Sequence, residues 1–434
     1  MKAGLEFASR LVQERLDNGL RVVLLPDRSR PLVSVNIWYH VGSKNESPGH
    51  TGFAHLFEHM LFQGSQNVGT NDHFALIQQV GGVANGSTSY DCTNYYETLP
   101  SQCLELGLWL ESDRMGFLLP ALDEVKLQNQ KDVVMNERRQ RVDNQPYGRA
   151  FEILHELLYP KGHPYRWPVI GYMDDIAATT LAEVHEFFTT HYRPDNAVLT
   201  LVGDFEPRAA LQLVRKYFDD LPAGPKPPAS SSLETPGPEA PQPALTPSVR
   251  HELRDAVNLP RLYLAWRGPA LTAGDWPAGD LYSVATSGGK SSPLYRDLVL
   301  EHEIAQDVYV GMMPLELEST LMAVMTVRPG VDPTQAEKAL LDRLRDWRVS
   351  PPHPGDFERA QNKTRVAHLH EVESFESRAD LLSLFATHYG DAALIDSEIE
   401  RYAKVTPNDM LEFAHRYQDP EHTVTLWVLP EESS

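Results

Sequence analysis

The sequence is poor in cysteine, short of basic residues relative to acidic ones, and free of long apolar runs. Cys92 and Cys103 are its only cysteines. They lack C-x-x-C spacing, which excludes a disulfide framework and a cysteine-based zinc cluster. They read as two buried or partly buried thiols, and a single disulfide between them stays open. There are 39 basic residues against 60 acidic ones, a net charge of −21. That balance argues against nucleic acid as a partner, because phosphate contacts need clustered Lys and Arg. Anionic membrane surfaces are disfavoured for the same reason, whereas basic substrates are permitted. No run of 18 apolar residues occurs, so no membrane span is expected. Met1 to Arg15 lacks the apolar stretch of a secretory signal. The expected compartment is the cytoplasm, with the periplasm open should a leader precede this sequence.

What is present describes a globular chain. Of 434 residues, 41% are hydrophobic and 23% charged, close to the averages for folded domains. The length suggests two to four domains at about 150 residues each. Nine prolines fall between Pro222 and Pro247. A segment of that composition behaves as an extended spacer. It divides the chain into an N-terminal domain over 1–221, a linker over 222–247 and a C-terminal domain over 248–434.

The halves read alike. Leu20 to Pro26 and Leu32 to Val41 are rich in Val, Leu and Ile and predict strands, as does Arg261 to Arg267. Gln102 to Met115 and Pro333 to Trp347 have helical periodicity. Each half closes with a helix and then a strand: Leu181 to His191 before Ala197 to Val202, and Pro407 to Tyr417 before Thr423 to Leu429. Without a strict βαβ rhythm the class is α+β. The expected architecture is two homologous domains, each a mainly antiparallel sheet packed with helices.

The chemistry concentrates in His55-Leu56-Phe57-Glu58-His59, within a helical pattern from Thr51 to just before Gly64. At 100° per residue, His59 lies about 40° around the helix from His55, so both imidazoles can face one metal ion. Glu58 lies about 60° to the other side of His55, close enough to reach a water beside that metal. This H-x-x-E-H order is a known metallopeptidase signature. His185 and His191 lie about 120° apart on a helix and do not compete, nor do His368 and His370. A catalytic zinc needs a third protein ligand.

Several segments together resemble the M16 metallopeptidases, the family of pitrilysin, insulin-degrading enzyme and the mitochondrial processing peptidase. They are Val41-Gly42-Ser43, Gly52 to Gly64, Asn85 to Tyr95, Val133 to Arg139, Asp143 to Gly148, His163-Pro164-Tyr165 and Tyr192 to Asp204. The resemblance covers essentially the whole chain, and more closely 12–221. It implies a zinc peptidase with one zinc per chain. His55, His59 and Glu137 would be the ligands, and Gln130 stands where the family has a supporting glutamate. Glu58 would be the general base that takes a proton from a water polarised by the metal. The resemblance also implies that Asn85, Gly86, Ser87 and Thr88 form a strand edge that pairs with the substrate backbone, suiting short or unfolded peptides.

One expected feature is missing. The family's arginine–tyrosine pair in a later domain aligns with Val299 and Gln306, while Arg296 and Tyr309 are off register. The resemblance to two-domain chains that close in pairs as a clamshell therefore implies a heterodimer. Here a homologous subunit without zinc would supply the pair, and a homodimer is the alternative. From a different class, a non-catalytic scaffold or peptide-binding subunit of M16 type stays open.

Overall fold

We describe a computed structural model of the chain, over residues 6–224 and 247–431. Among the described residues there are eleven strands, the central ones formed by apolar runs. The first sheet holds β1 (Val12–Arg15), β2 (Arg21–Pro26), β3 (Leu32–Tyr39), β4 (Val83–Thr88), β5 (Thr93–Pro100) and β6 (Ala197–Gly203). Their order is β1-β2-β6-β3-β5-β4. Only β2 and β6 pair in parallel; the other neighbours are antiparallel. The second sheet holds β7 (Val249–Asp255), β8 (Arg261–Arg267), β9 (Ala305–Met313), β10 (Thr320–Val327) and β11 (Val424–Pro430), in the order β7-β11-β8-β10-β9. There too a single parallel pair, β7 with β11, sits among antiparallel ones. The α+β class and the two mostly antiparallel sheets are as expected. Of the proline-rich linker, residues 225–246 lie outside the described residues.

The central strands explain the layering. All seven residues of β6 are buried, as are all but the first of β3 and of β8. A strand buried on both faces needs cover on both sides. In the first unit one face packs on the helices Phe53–Met60, Leu104–Phe117 and Pro207–Phe218 through Leu24, Val35, Phe57, Leu108 and Val214. The other face, with Val23, Leu25, Trp38, Val198 and Val202, is covered by Phe375, Ala379 and Leu382 of the helix Phe375–Leu384.

That covering helix comes from late in the chain. The first compact unit runs to Arg138, resumes at Trp167 and includes Leu369–Glu398. The second takes Arg139–Arg166, the stretch from β7 to His368, and Ile399 onward. Its sheet is lined by the helix Ala150–Leu158 against β8 and β11. The strands of each unit thus come from one side of the proline-rich segment, while Arg139–Arg166 and Leu369–Glu398 join the unit of the other side. Amphipathic periodicity shows that a helix has an apolar face, but it does not say which sheet that face will meet.

Candidate metal centre

The helix Phe53–Met60 begins where two glycines meet. Gly52 has φ +87° and Gly171 φ +76°, both in the left-handed region. A Cβ on Gly171 would lie 2.4 Å from the Gly52 Cα, so a side chain there is excluded by space as well as by φ. The start of the helix is held by two carboxylates, the first of them buried. Glu46 accepts from the Gly52 and Ala54 amides at 2.9 and 2.8 Å. Asp175 accepts from the Thr51 hydroxyl at 2.7 Å and from its amide at 3.2 Å. Carboxylates suit the positive end of a helix. Burial nonetheless pushes the Glu46 carboxyl well above the usual range, the two amide donors pulling the other way.

The apolar residues of this helix fix its rotation. Phe53, Ala54, Leu56, Phe57 and Met60 are buried. The Phe57 ring stacks on Phe187 and Tyr192 at centroid distances of 5.3 and 5.1 Å. His55, Glu58 and His59 are left half-buried on the remaining face.

Glu137 reaches that face from the helix Glu124–Arg138. Two cations beside it pin the helix. Arg138 donates to the Gly171 carbonyl at 2.9 Å, and Lys131 to the carbonyls of Ala177 and Thr179 at 2.6 and 2.9 Å. The Glu137 carboxylate then lies 3.2 Å from His59 Nε2 and 3.9 Å from His55 Nε2. One ligand atom from each of the three residues falls within 4.8 Å of the others. Ligands about 2.0–2.1 Å from a tetrahedral zinc are about 3.3 Å apart. Two imidazoles and a carboxylate at this spacing fit a zinc ion.

Glu58 stands beside the cluster and accepts a hydrogen bond from the Thr88 hydroxyl at 2.7 Å. Thr88 ends β4, the edge strand of its sheet. The four expected substrate-contacting residues divide between the faces of that strand. Gly86 and Thr88 share one face; Asn85 and Ser87 share the other, where the Ser87 hydroxyl donates to Asn94 at 2.6 Å. A Cβ on Gly86 would come within 3.1 Å of the Tyr95 ring and 3.2 Å of Phe62, so glycine suits this crowded position. Gln130 is buried two turns before Glu137, on the same face of their helix. Val299 packs partly buried against the second core, and Gln306 is exposed on β9.

Sequence reasoning did not find Glu46 or Asp175, because a carboxylate brought to a helix start through a loop leaves no fixed spacing. It also missed an ionic cluster beneath the sheet. Glu97, Glu111, Arg114 and His73 are all buried there. Arg114 pairs with Glu111, lies 3.2 Å from His73 Nε2 and sits 4.3 Å over the Tyr95 ring. Burial and then the Glu111 carboxylate push Glu97 well above the usual carboxylate range. A guanidinium inside this group opposes a cation, so it reads as a structural network. Cys92 and Cys103 are free thiols, and burial pushes Cys92 up to about 12. Among the described residues no helix is long and apolar enough to cross a membrane.

The chain is similar to known proteins over most of its length. Residues 21–166 match the family described as insulinase (peptidase family M16), and 178–364 match the M16 peptidase inactive domain. The zinc protease PqqE of Helicobacter pylori is 30% identical over 427 residues, 96% of this chain and 92% of its own length. The uncharacterized zinc protease ML0855 of Mycobacterium leprae is 31% identical over 300 residues, 68% of this chain and 64% of its own. The crystal structure of a protease from Helicobacter pylori superposes with a TM-score of 0.89 at 27% identity, covering 97% of this chain and 99% of that one.

Proposed function

The chain belongs to the M16 family of peptidases, and from that premise we propose that it hydrolyses short or unfolded peptides with zinc held by His55, His59 and Glu137. When bound, zinc supplies Lewis acidity to the scissile carbonyl and to the attacking water. Glu58 takes the proton of that water and delivers it to the leaving amine. Thr88 holds the Glu58 carboxylate in place, and buried Gln130 supports the ligand helix. The substrate lies along the free edge of β4 as an added strand, so that backbone hydrogen bonds at Asn85, Gly86, Ser87 and Thr88 read its extended shape. The observation that carries this reading is the convergence of three metal-binding side chains with a fourth, hydrogen-bonded carboxylate beside them.

Val299 and Gln306 offer no cationic or phenolic group where the family pattern has arginine and tyrosine. The working enzyme is therefore a pair of chains, with a homologous zinc-free subunit providing that function; a homodimer without the pair is the alternative. Full peptidase activity of the purified chain in the absence of any homologous subunit would sink the heterodimer.

Glu58→Gln tests the chemistry. The variant should bind one zinc per chain, by atomic absorption, and lose about 10³-fold in turnover of a fluorogenic peptide, within the range for removing a general base. Turnover near the native rate with zinc retained would overturn the assignment, and a zinc-loaded native chain silent with every homologous partner would favour the scaffold reading.

A further inference from the structure

A cavity of about 350 Å³ opens in the second unit, lined by the helix Pro333–Val349 and the starts of β7 and β11. Its apolar wall includes Val249, Trp266, Leu341 and Leu344. Its charged groups are all guanidinium: Arg250, Arg345 and Arg348 line it, and no carboxylate does. In a protein of net charge −21, that local reversal needs a reason.

Two of the three arginines are already engaged. Arg250 is held by both oxygens of Glu337 at 2.7 and 2.8 Å, and Arg345 pairs with Asp342 at 3.2 Å. Arg348 differs. Among the described residues it makes no ion pair, and its buried Nε has no hydrogen-bond acceptor. The nearby Asp419 is occupied by His422 at 2.7 Å, and the Arg348 charge is the smallest of the influences that lower it. A second donor meets the same cavity. Gln418 is 2% exposed; its Oε1 accepts from Tyr282 at 2.9 Å, but its Nε2 has no acceptor. Buried donors left without acceptors are rare and costly. Two other polar liners are satisfied: the Trp266 indole donates to Thr423, and the Ser248 hydroxyl to the Pro420 carbonyl.

Two orphan donors, one of them cationic, ask for a group that only accepts. Apolar walls ask for hydrocarbon beside it, and disfavour a strongly hydrated dianion such as phosphate. The volume suits a small ligand. We propose that this cavity binds a medium-chain organic carboxylate, its anionic head on Arg348 and Gln418 and its chain against Leu341, Leu344 and Trp266.

The test is calorimetric titration of the full chain with octanoate, beside octan-1-ol as the uncharged isostere. Octanoate should bind at one site per chain, and octan-1-ol at least tenfold more weakly. Arg348→Gln changes a half-buried side chain and should leave the thermal transition unchanged while weakening octanoate at least tenfold. Leu341→Trp, which fills the apolar end, should weaken it without altering the charge. Absence of saturable binding, equal affinity for the alcohol, or octanoate binding undiminished in Arg348→Gln would each overturn the proposal. The last would place the carboxylate elsewhere, such as the metal centre, and the first would leave the two donors to ordered water alone. None of these outcomes depends on whether the chain cleaves peptides.

Discussion

The two units repeat one strand order and differ in the helix that follows its central strand. Setting aside β1, the sequence β2-β6-β3-β5-β4 in the first unit corresponds strand for strand to β7-β11-β8-β10-β9 in the second, with the parallel pair in the same place. After β3 comes the helix Phe53–Met60, whose half-buried face carries His55, Glu58 and His59. After β8 comes the helix Trp276–Ser287, in which Ala278, Gly279, Leu281, Tyr282 and Ser283 are all buried and no imidazole is present. One copy keeps a polar stripe over its sheet, and the other gives that space to packing. The same strand order therefore accommodates either helix, and any chemistry is a property of the side chains placed on it. The M16 inactive-domain match over 178–364 reaches across this ligand-free copy.

The harshest way to break the comparison is to separate the copies. If the exchanged helices are integral to each unit, residues 1–221 expressed alone should not fold. The face made by Val23, Leu25, Trp38, Val198 and Val202 would lose Phe375, Ala379 and Leu382. At ~1.5–3 kcal/mol for each large side chain buried, the loss is on the order of a whole domain's stability of about 5–15 kcal/mol. The fragment should lack a cooperative melting transition, and adding residues 248–434 should restore it. A sharp transition in the isolated fragment would mean that the helix Phe375–Leu384 is an accessory.

This exchange marks what the sequence could and could not convey. Local elements were legible where their pattern is local. The strand Arg261–Arg267 and the helices Leu181–His191 and Pro407–Tyr417 coincide with their expected bounds, and the helix from Gln102 is displaced by two residues. Helical spacing alone puts His55 and His59 on one face, and Glu137, reached only through the resemblance to the family, lies 3.2 Å from His59. What was not legible depends on the meeting of distant segments: Glu46 under a helix start, the swapped helices, and the buried Glu97–Glu111–Arg114 group. A charged residue in an amphipathic helix such as Leu104–Phe117 reads as solvent-facing until the partner strand is known.

That buried group is the next point of attack. Arg114 is 2% exposed and pairs with Glu111, itself fully buried. Arg114→Leu keeps most of the volume against Tyr95 and Phe62 but strands a carboxylate in the core of the first unit. Removing one partner of a buried pair costs about 3–5 kcal/mol. Urea unfolding should show that loss in the unit bearing the metal helix, along with reduced zinc occupancy. A change below about 1 kcal/mol would mean that the Arg114–Glu111 pair is not what holds this part of the core.

Acid should probe both units more gently. Burial holds His155 of the second unit down at about 4, with its Nδ1 on the Tyr165 carbonyl at 3.0 Å. Burial, then Arg193, holds His191 of the first unit down to about 4. Below about 6.5 the unfolded chain takes up a proton that the folded chain refuses until about 4. The stability from each histidine is therefore full above pH 6.5 and is lost as pH falls towards 4, by at most about 3 kcal/mol. His155→Gln should flatten the fall in stability between pH 6.5 and 4.5 for the second unit and leave the first unit's slope intact. An unchanged slope in both would show that His155 is protonated in the fold.

The finest test concerns a hydrogen bond that ties the edge strand to Glu58. Thr88 donates to Glu58 at 2.7 Å from the last residue of β4. Val in its place keeps the branched shape and the backbone that would pair with substrate, and removes only the hydroxyl. A hydrogen bond to a charged group contributes about 1.5–3 kcal/mol, part of which water regains at this half-buried position. Thr88→Val should therefore lower kcat about tenfold, with zinc content unchanged and KM altered less than threefold, and Thr88→Ser should recover most of the rate. A rise in KM at constant kcat would assign Thr88 to holding substrate. Positioning of the base predicts the opposite split, because Glu58 acts only once the peptide is in place.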